Sequence, residues 1–402
     1  MQAIADTNRL VTDGVITPEQ ARTIEIRARE AMVALSINSV LCLGIVAATM
    51  GLIFWLADAL AVAVFGTLAL VVGFVILIRG GELFRIFGNA AALIGAGMLI
   101  GGAGAELLDN YEDIAGWAMA AVGMAILLIT AKILMGGWTT ARFVIGSILI
   151  MGLALHVVGL GVLLDQQNLA GAAKVLFFLY AALVIAGAGL LTDVRAVTAL
   201  AIVPFAQALD TGTEYFHAIY VFYSQESTLS ILQMVLLIVL CLWAADRWRE
   251  RVAPHARVLA VMAFIVANLC ALVGSLWGDV VGETIWGPGY RPGSNISWEE
   301  YRAARDAFME DALVISEGIY SIAWAVVLAA MVFWAAHANR RGLFNAAVTF
   351  GAIHAYTQLF ESFSDQPLAY VIGGLAAIPL AWGMWRLNHW LAARTRPSAS
   401  LE

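Results

Sequence analysis

The chain has 402 residues, 62% of them hydrophobic and only 13% charged, with a formal net charge of −7. Apolar runs of about 20 residues, the length that matches a bilayer's hydrocarbon core, recur along it. Composition so biased excludes a soluble domain, and the loops are too short to house a second globular one. The expectation is an all-α, polytopic integral membrane protein of about 12 transmembrane helices arranged as six hairpins, both termini cytoplasmic.

Residues 1–31 come first. They lack the basic, then apolar, then small-residue pattern of a cleaved signal peptide and read as a cytoplasmic helical hairpin broken at Gly14. In 17-TPEQARTIEIRAREA-31, Thr17 is the expected cap, Pro18 suits the first helical position and Gln20 completes a capping box. A cytoplasmic protein partner, if there is one, is expected to engage residues 3–31.

The transmembrane domain is predicted over 32–392. Its spans lie at about 32–56, 60–79, 86–107, 114–131, 142–164, 169–191, 194–217, 228–246, 256–280, 312–336, 342–363 and 367–386. Residues 393–402 form a tail, whose final Leu401-Glu402 reads as a vector-derived scar and is set aside. Charge supplies an independent check, because cytoplasmic loops retain Lys and Arg. With the N-terminus inside, 18 of the 22 basic residues fall inside and 4 outside, whereas 10 of the 29 acids fall inside and 19 outside. The predicted localisation is a bacterial inner membrane, crossed many times.

Each outgoing span ends in an apolar stretch followed by Asp: Asp58, Asp109, Asp165, Asp210, Asp279 and Asp365. Duplication of a two-helix unit explains that recurrence; Asp as an interfacial turn residue explains it equally well. Cys42, Cys241 and Cys270 sit in separate apolar runs and suggest neither disulfides nor a CxxC metal site. In the long outer loop, Ser297 and Glu300 form a capping box for an amphipathic helix at about 297–311, expected on the outer membrane surface or over the protein's outer end. Glycines of the third and sixth spans, Gly95, Gly97, Gly101, Gly102, Gly104, Gly187 and Gly189, point to close helix packing. Pro204 is expected to kink the seventh span and free a carbonyl near residue 200.

The cytoplasmic pair in 10-LVTDGVITPEQARTI-24, the basic turn and span in 339-NRRGLFNAAVTFGAIHAYTQLFESF-363 and the final span in 367-PLAYVIGGLAAIPLAWGMWRL-387 resemble a bacterial family of multi-pass membrane proteins defined by a domain of unknown function. The resemblance covers the two ends of the chain. It implies a many-helix inner-membrane protein and brings no catalytic residues.

Chemistry concentrates on the predicted outer side. If the seventh span stays helical to 217, Gln207, Asp210, Glu214 and His217 share one face. The eleventh carries a similar stripe of His354, Gln358, Glu361 and Asp365, the ninth has Ser275, Asp279 and Glu283, and the tenth has Glu317 with Tyr320 and Trp324 beneath it. His156 and Glu106 are further candidates, and Lys174 is expected either to neutralise a carboxylate or to snorkel to the surface. His255, His337 and His389 are expected to be solvated.

Charges at membrane depth need water, a partner or an ion, so these stripes predict an outward-facing acidic cavity. Three readings compete. The acids are interfacial residues in water; or they serve transport or binding of a cation, proton or cationic solute; or Glu214, His217, His354 and Glu361 hold a divalent metal in a hydrolase acting at the outer leaflet. The last is the weaker enzyme alternative, because carboxylate-bridged bundles use two Glu-x-x-His motifs and only one is present. A structural or regulatory role remains behind these. Nucleic-acid binding has no support in the sequence.

Overall fold

A computed structural model describes residues 7–29, 58–79, 85–137, 141–216, 219–248, 250–288, 297–337 and 341–363, with isolated positions beyond them. The first and last predicted spans fall largely outside the described residues, as do His217, Asp365, Cys42 and the side chain of Glu214. Two compact units form, residues 1–170 and 171–402. Eight of the described helices are long and apolar enough to cross a membrane. Phe65, Leu68 and Val72 on one of them and Leu232, Leu236 and Val239 on another stand exposed. Water would not tolerate such stripes, whereas lipid does, and the protein is a predominantly helical, multi-pass membrane protein.

The first unit opens with α1 (Thr7–Thr12) and α2 (18–29). The capping box predicted for α2 forms: Gln20 N–H donates to Thr17 Oγ1 at 3.2 Å and Thr17 N–H to Gln20 Oε1 at 2.9 Å. Four long helices follow, α3 (Ala59–Arg79), α4 (Arg85–Asn110), α5 (Glu112–Met135) and α6 (Arg142–Gln166). Here α3 packs along α4 and α5 along α6, while α4 and α5 touch much less. The tight pairs are those joined at the basic turns, one helix out of step with hairpins counted from the N-terminus. Glycines explain the choice. Gly66 and Gly73 of α3 face Gly95 and Ala92 of α4, Gly102 of α4 faces Ala59 and Ala63 of α3, and Gly116 and Gly123 of α5 face Leu163, Gly159, His156 and Gly152 of α6. A Cβ at Gly123 would lie 2.4 Å from the His156 backbone nitrogen, so the backbones meet with no side chain between them. The packing expected of Gly95 and Gly102 forms; Gly101 has open space around it, and so has Gly187 of the second unit.

The second unit begins with α7 (Ala172–Thr192), then two short helices, α8 (Arg195–Leu200) and α9 (Ile202–Gln207). This is the main departure from the sequence expectation. The seventh span does not continue as a helix to 217. It breaks at Ala201, ends at Gln207, and turns through Asp210 at φ 52° into an antiparallel hairpin, β1 (Thr211–Phe216) and β2 (Ile219–Ser224). Pro204 denies a donor to the Leu200 carbonyl, and TGTEYF with IYVFYS is rich in Thr, Tyr, Phe, Val and Ile, which favour strands. Then come α10 (Ser227–Arg247) packed against α11 (Val252–Trp277), a two-residue strand β3 (Asp279–Val280), α12 (Glu283–Trp286), the amphipathic helix α13 (Trp298–Asp311) and β4 (Val314–Ile315), which pairs with β3. The unit continues with α14 (Glu317–His337) packed on α15 (Arg341–Phe363). Met234, Ala263 and Cys270 centre a core between α10 and α11 that also takes in Ile202 and Ala206 of α9. Cys241 and Cys270 are free and buried.

Candidate functional site

The break between α9 and α10 organises the polar chemistry of the second unit. At its start, Asp210 leaves α9 with a left-handed backbone and accepts a hydrogen bond from Lys174 Nζ at 2.6 Å. Lys174 lies in the first turn of α7, so this ion pair closes the end of the broken segment onto α7. Both side chains keep more than a third of their surface exposed, 41% for Lys174 and 36% for Asp210. Of the two fates open to Lys174, pairing is the one adopted.

Below the pair, the open end of the hairpin is fastened to α10 by hydroxyls. Thr211 faces Ser224 across the strands; their oxygens are 3.0 Å apart, and Ser230 of α10 lies 2.6 Å from Thr211 and 3.0 Å from Ser224. Thr211 and Ser230 are wholly buried. One turn further along α10, Gln233 Nε2 donates to the Phe205 carbonyl of α9 at 2.7 Å. The broken segment is thus held by side chains in place of the helical hydrogen bonds it lacks.

Two buried carboxylates lock the start of α10 to the segment that follows α11. Asp279 accepts from the Ser227 and Thr228 amides, each at 2.9 Å, from the Thr228 hydroxyl, and from Tyr320 Oη at 3.2 Å. It sits on the N-terminus of α10, where free amides and the helix dipole favour an anion. Glu226 does the reverse, accepting from Gly282 N–H at 2.8 Å and Thr284 N–H at 3.1 Å at the start of α12. Each carboxylate caps the other's segment. Asp279 was expected in an acidic cavity, and its charge is instead spent on this latch. Glu226 and Thr228 were missed, because a carboxylate two residues before an apolar run looks interfacial until its burial is known.

The remaining expected site residues do not form one cluster. Glu283 pairs with Arg305 of α13 at 3.0 Å, a bond that raises the guanidinium's already high pKa. Glu317 and Glu361 are exposed, Gln358 is half-buried on α15, and Gln207 packs against Gly212, which leaves no room for a Cβ there. The ring of His354 meets Trp324 edge-on at 4.6 Å, Trp324 Nε1 donates to Asn268 at 3.0 Å, and His354 Nδ1 is buried with no partner among the described residues. The helical face that would have aligned Gln207, Asp210, Glu214 and His217 does not form. Glu214 lies in β1 and His217 lies outside the described residues, so the helical Glu-x-x-His pair that the metal reading needed is not formed by a continuous helix. Among the described residues no group of three or more His, Cys, Asp or Glu is disposed to hold a metal. In the first unit, His156 is 5% exposed with Nδ1 2.7 Å from the Ala120 carbonyl, and Glu106 accepts from Asn110 within α4 at 3.0 Å.

The opposite end of the second unit holds a correction. His255, expected to be solvated, is 3% exposed. Its Nδ1 lies 2.6 Å from Thr198 Oγ1 of α8, and its Nε2 lies 3.2 Å from Asp193 Oδ1, the left-handed residue that ends α7. That hydrogen bond to His255 is the main cause that holds the Asp193 carboxyl below its ordinary range, with Arg251 and Arg195 adding to it. The connectivity is that of a nucleophile, base and carboxylate. However, Thr198 is buried, and its hydroxyl is packed against Gly189, where even a Cβ would overlap it.

A scan of protein-family models, a search of curated proteins and a search of solved structures each found no match. The resemblance of the chain's ends to a multi-pass bacterial family therefore rests on the residues quoted for it.

Proposed function

We propose that the second unit binds and moves a small cation or cationic solute, entering from the outer side of a bacterial inner membrane crossed about twelve times with both termini inside. One observation carries this reading: a helix broken among membrane spans, ending in a half-exposed Asp210–Lys174 ion pair. At 1.5 Å per residue, α8 and α9 together reach roughly 20 Å, short of the ~30 Å hydrocarbon core. Irregular backbone at such depth is tolerated where protein buries it or where it lines a cavity, and broken helices are a recurrent way of building transport sites. An arriving cation competes with the Lys174 ammonium for Asp210. Displacement costs little because a half-exposed ion pair is weak, on the order of 1 kcal/mol or less.

The test is flux into vesicles reconstituted with the pure protein, using protons, alkali cations and a panel of organic cations. Asp210→Asn is expected to abolish uptake, and Lys174→Met to raise apparent affinity by removing the competitor. Absence of flux for every cation, or full flux in folded Asp210→Asn, overturns the reading.

A further inference from the structure

Gln233 is among the buried polar groups that the mechanism above leaves unused. Gln233 points its amide nitrogen at the Phe205 carbonyl, which settles the orientation of the amide and leaves Oε1 as the other end. That oxygen is buried and has no hydrogen-bond partner among the described residues. A buried acceptor left unmet is costly, and a bound water or ion is one way in which native proteins satisfy it.

The surroundings offer acceptors and few donors. Pro204 has no N–H. The Phe205 carbonyl is released from the helical pattern, because Leu209 N–H turns instead to the Ala206 carbonyl at 3.1 Å; it accepts from Gln233 and keeps a second lone pair. One turn outward on α10, the hydroxyls of Ser230, Thr211 and Ser224 already bond to one another. Gln233 lies six residues into α10, about 9 Å below its N-terminus, beside the broken helix and inward of Asp210.

We propose that Gln233 Oε1 and the Phe205 carbonyl are ligands of a dehydrated alkali-metal cation held where α10 faces the end of α9. Neutral oxygens suit that class. A divalent ion would need carboxylate ligands to balance its charge, whereas carbonyl oxygens alone replace the hydration shell of a monovalent one. An organic cation would bring donors but needs room that an amide packed on backbone does not leave. The site deepens the cation reading by naming the ion class, and it rests on that reading only for the claim that the ion moves.

The experiment therefore measures binding at equilibrium: thermal unfolding of the detergent-solubilised full chain in lithium, sodium, potassium and choline chlorides at matched ionic strength. One alkali cation is expected to raise the midpoint saturably. Gln233→Leu should weaken that apparent affinity about tenfold or more, and Gln233→Glu, which keeps an oxygen and adds charge, should tighten it. Identical midpoints in all four salts, meaning that the oxygen holds only water, overturn the proposal. So does an unaltered cation response in folded Gln233→Leu. Should the leucine variant not fold, an affinity in Gln233→Glu equal to that of the native protein overturns it instead. A saturable shift without vesicle flux upholds the site and rejects transport.

Discussion

His255 Nδ1 and Thr198 Oγ1 meet at 2.6 Å inside the second unit, joining the first turn of α11 to α8. Because the other imidazole nitrogen faces Asp193, one buried ring ties together α11, α8 and the end of α7. His255→Ala should destabilise the protein by about 1–3 kcal/mol, the cost of leaving a buried hydroxyl without its partner. Chemical or thermal unfolding in detergent measures it, and a loss below about 0.5 kcal/mol would contradict the tie.

The same contact sets a pH dependence. The Asp193 carboxyl is held below its ordinary range chiefly by His255. A carboxyl lowered in the folded state contributes stability that is present above the ordinary carboxylate range and is lost as pH falls through the lowered value. In His255→Ala this part of the acid-side loss should disappear, seen as a flatter decline of the unfolding midpoint below about pH 4.5. An unchanged acid limb would show that Asp193 gains nothing from the imidazole.

Asp279 and Glu226 cap each other's segments, so their contributions should not add. Either carboxylate replaced by its amide is expected to cost roughly 2–4 kcal/mol, since buried amide donors then face one acceptor fewer. The double variant should cost less than the sum of the singles, because losing either carboxylate already loosens the joint. Strict additivity in a double-mutant cycle argues against a shared latch.

Helix pairing in the first unit rests on glycine contacts that tolerate no side chain. Gly123→Ala or Gly159→Ala should destabilise by about 1–3 kcal/mol through overpacking. Gly101→Ala, with nothing within 4 Å of the added carbon, should be neutral or slightly stabilising, because alanine suits a helix better than glycine. Equal effects at all three positions would refute the pairing described for α5 and α6.

The amphipathic helix α13 offers a local test. Ser297 accepts from Glu300 N–H at 3.2 Å and Glu300 accepts in return from Ser297 N–H at 2.9 Å, which holds the Glu300 carboxyl below its usual range. Ser297→Ala should cost about 0.5–2 kcal/mol of helix stability, measured as faster hydrogen exchange confined to residues 298–311.

Much of this was legible in the sequence because it follows from solvent. Apolar runs of bilayer length and the capping boxes at Thr17 and Ser297 each depend on nearest neighbours and on whether a group meets water or lipid. Close packing was readable at Gly95 and Gly102, while Gly101 and Gly187, which looked alike in sequence, face open space; composition marks a small-residue helix but not which helix approaches it. The six aspartates that end apolar stretches look equivalent in sequence. Folded, Asp58 caps α3 through Ala61 N–H, Asp210 takes Lys174, and Asp279 is buried on α10.

Only the tertiary structure decided those differences. Whether Gln207 to His217 is one helical stripe or a broken helix and a hairpin depends on hydrogen bonds from Gln233, Ser224 and Ser230, which lie later in the chain. A periodicity of three and four residues cannot register them. Local pattern and solvent determined that this chain crosses a membrane many times. The partners of Asp279, Lys174 and Gln233 were settled by packing between segments distant in sequence, since a buried polar group takes its role from whatever neighbour completes its hydrogen bonds.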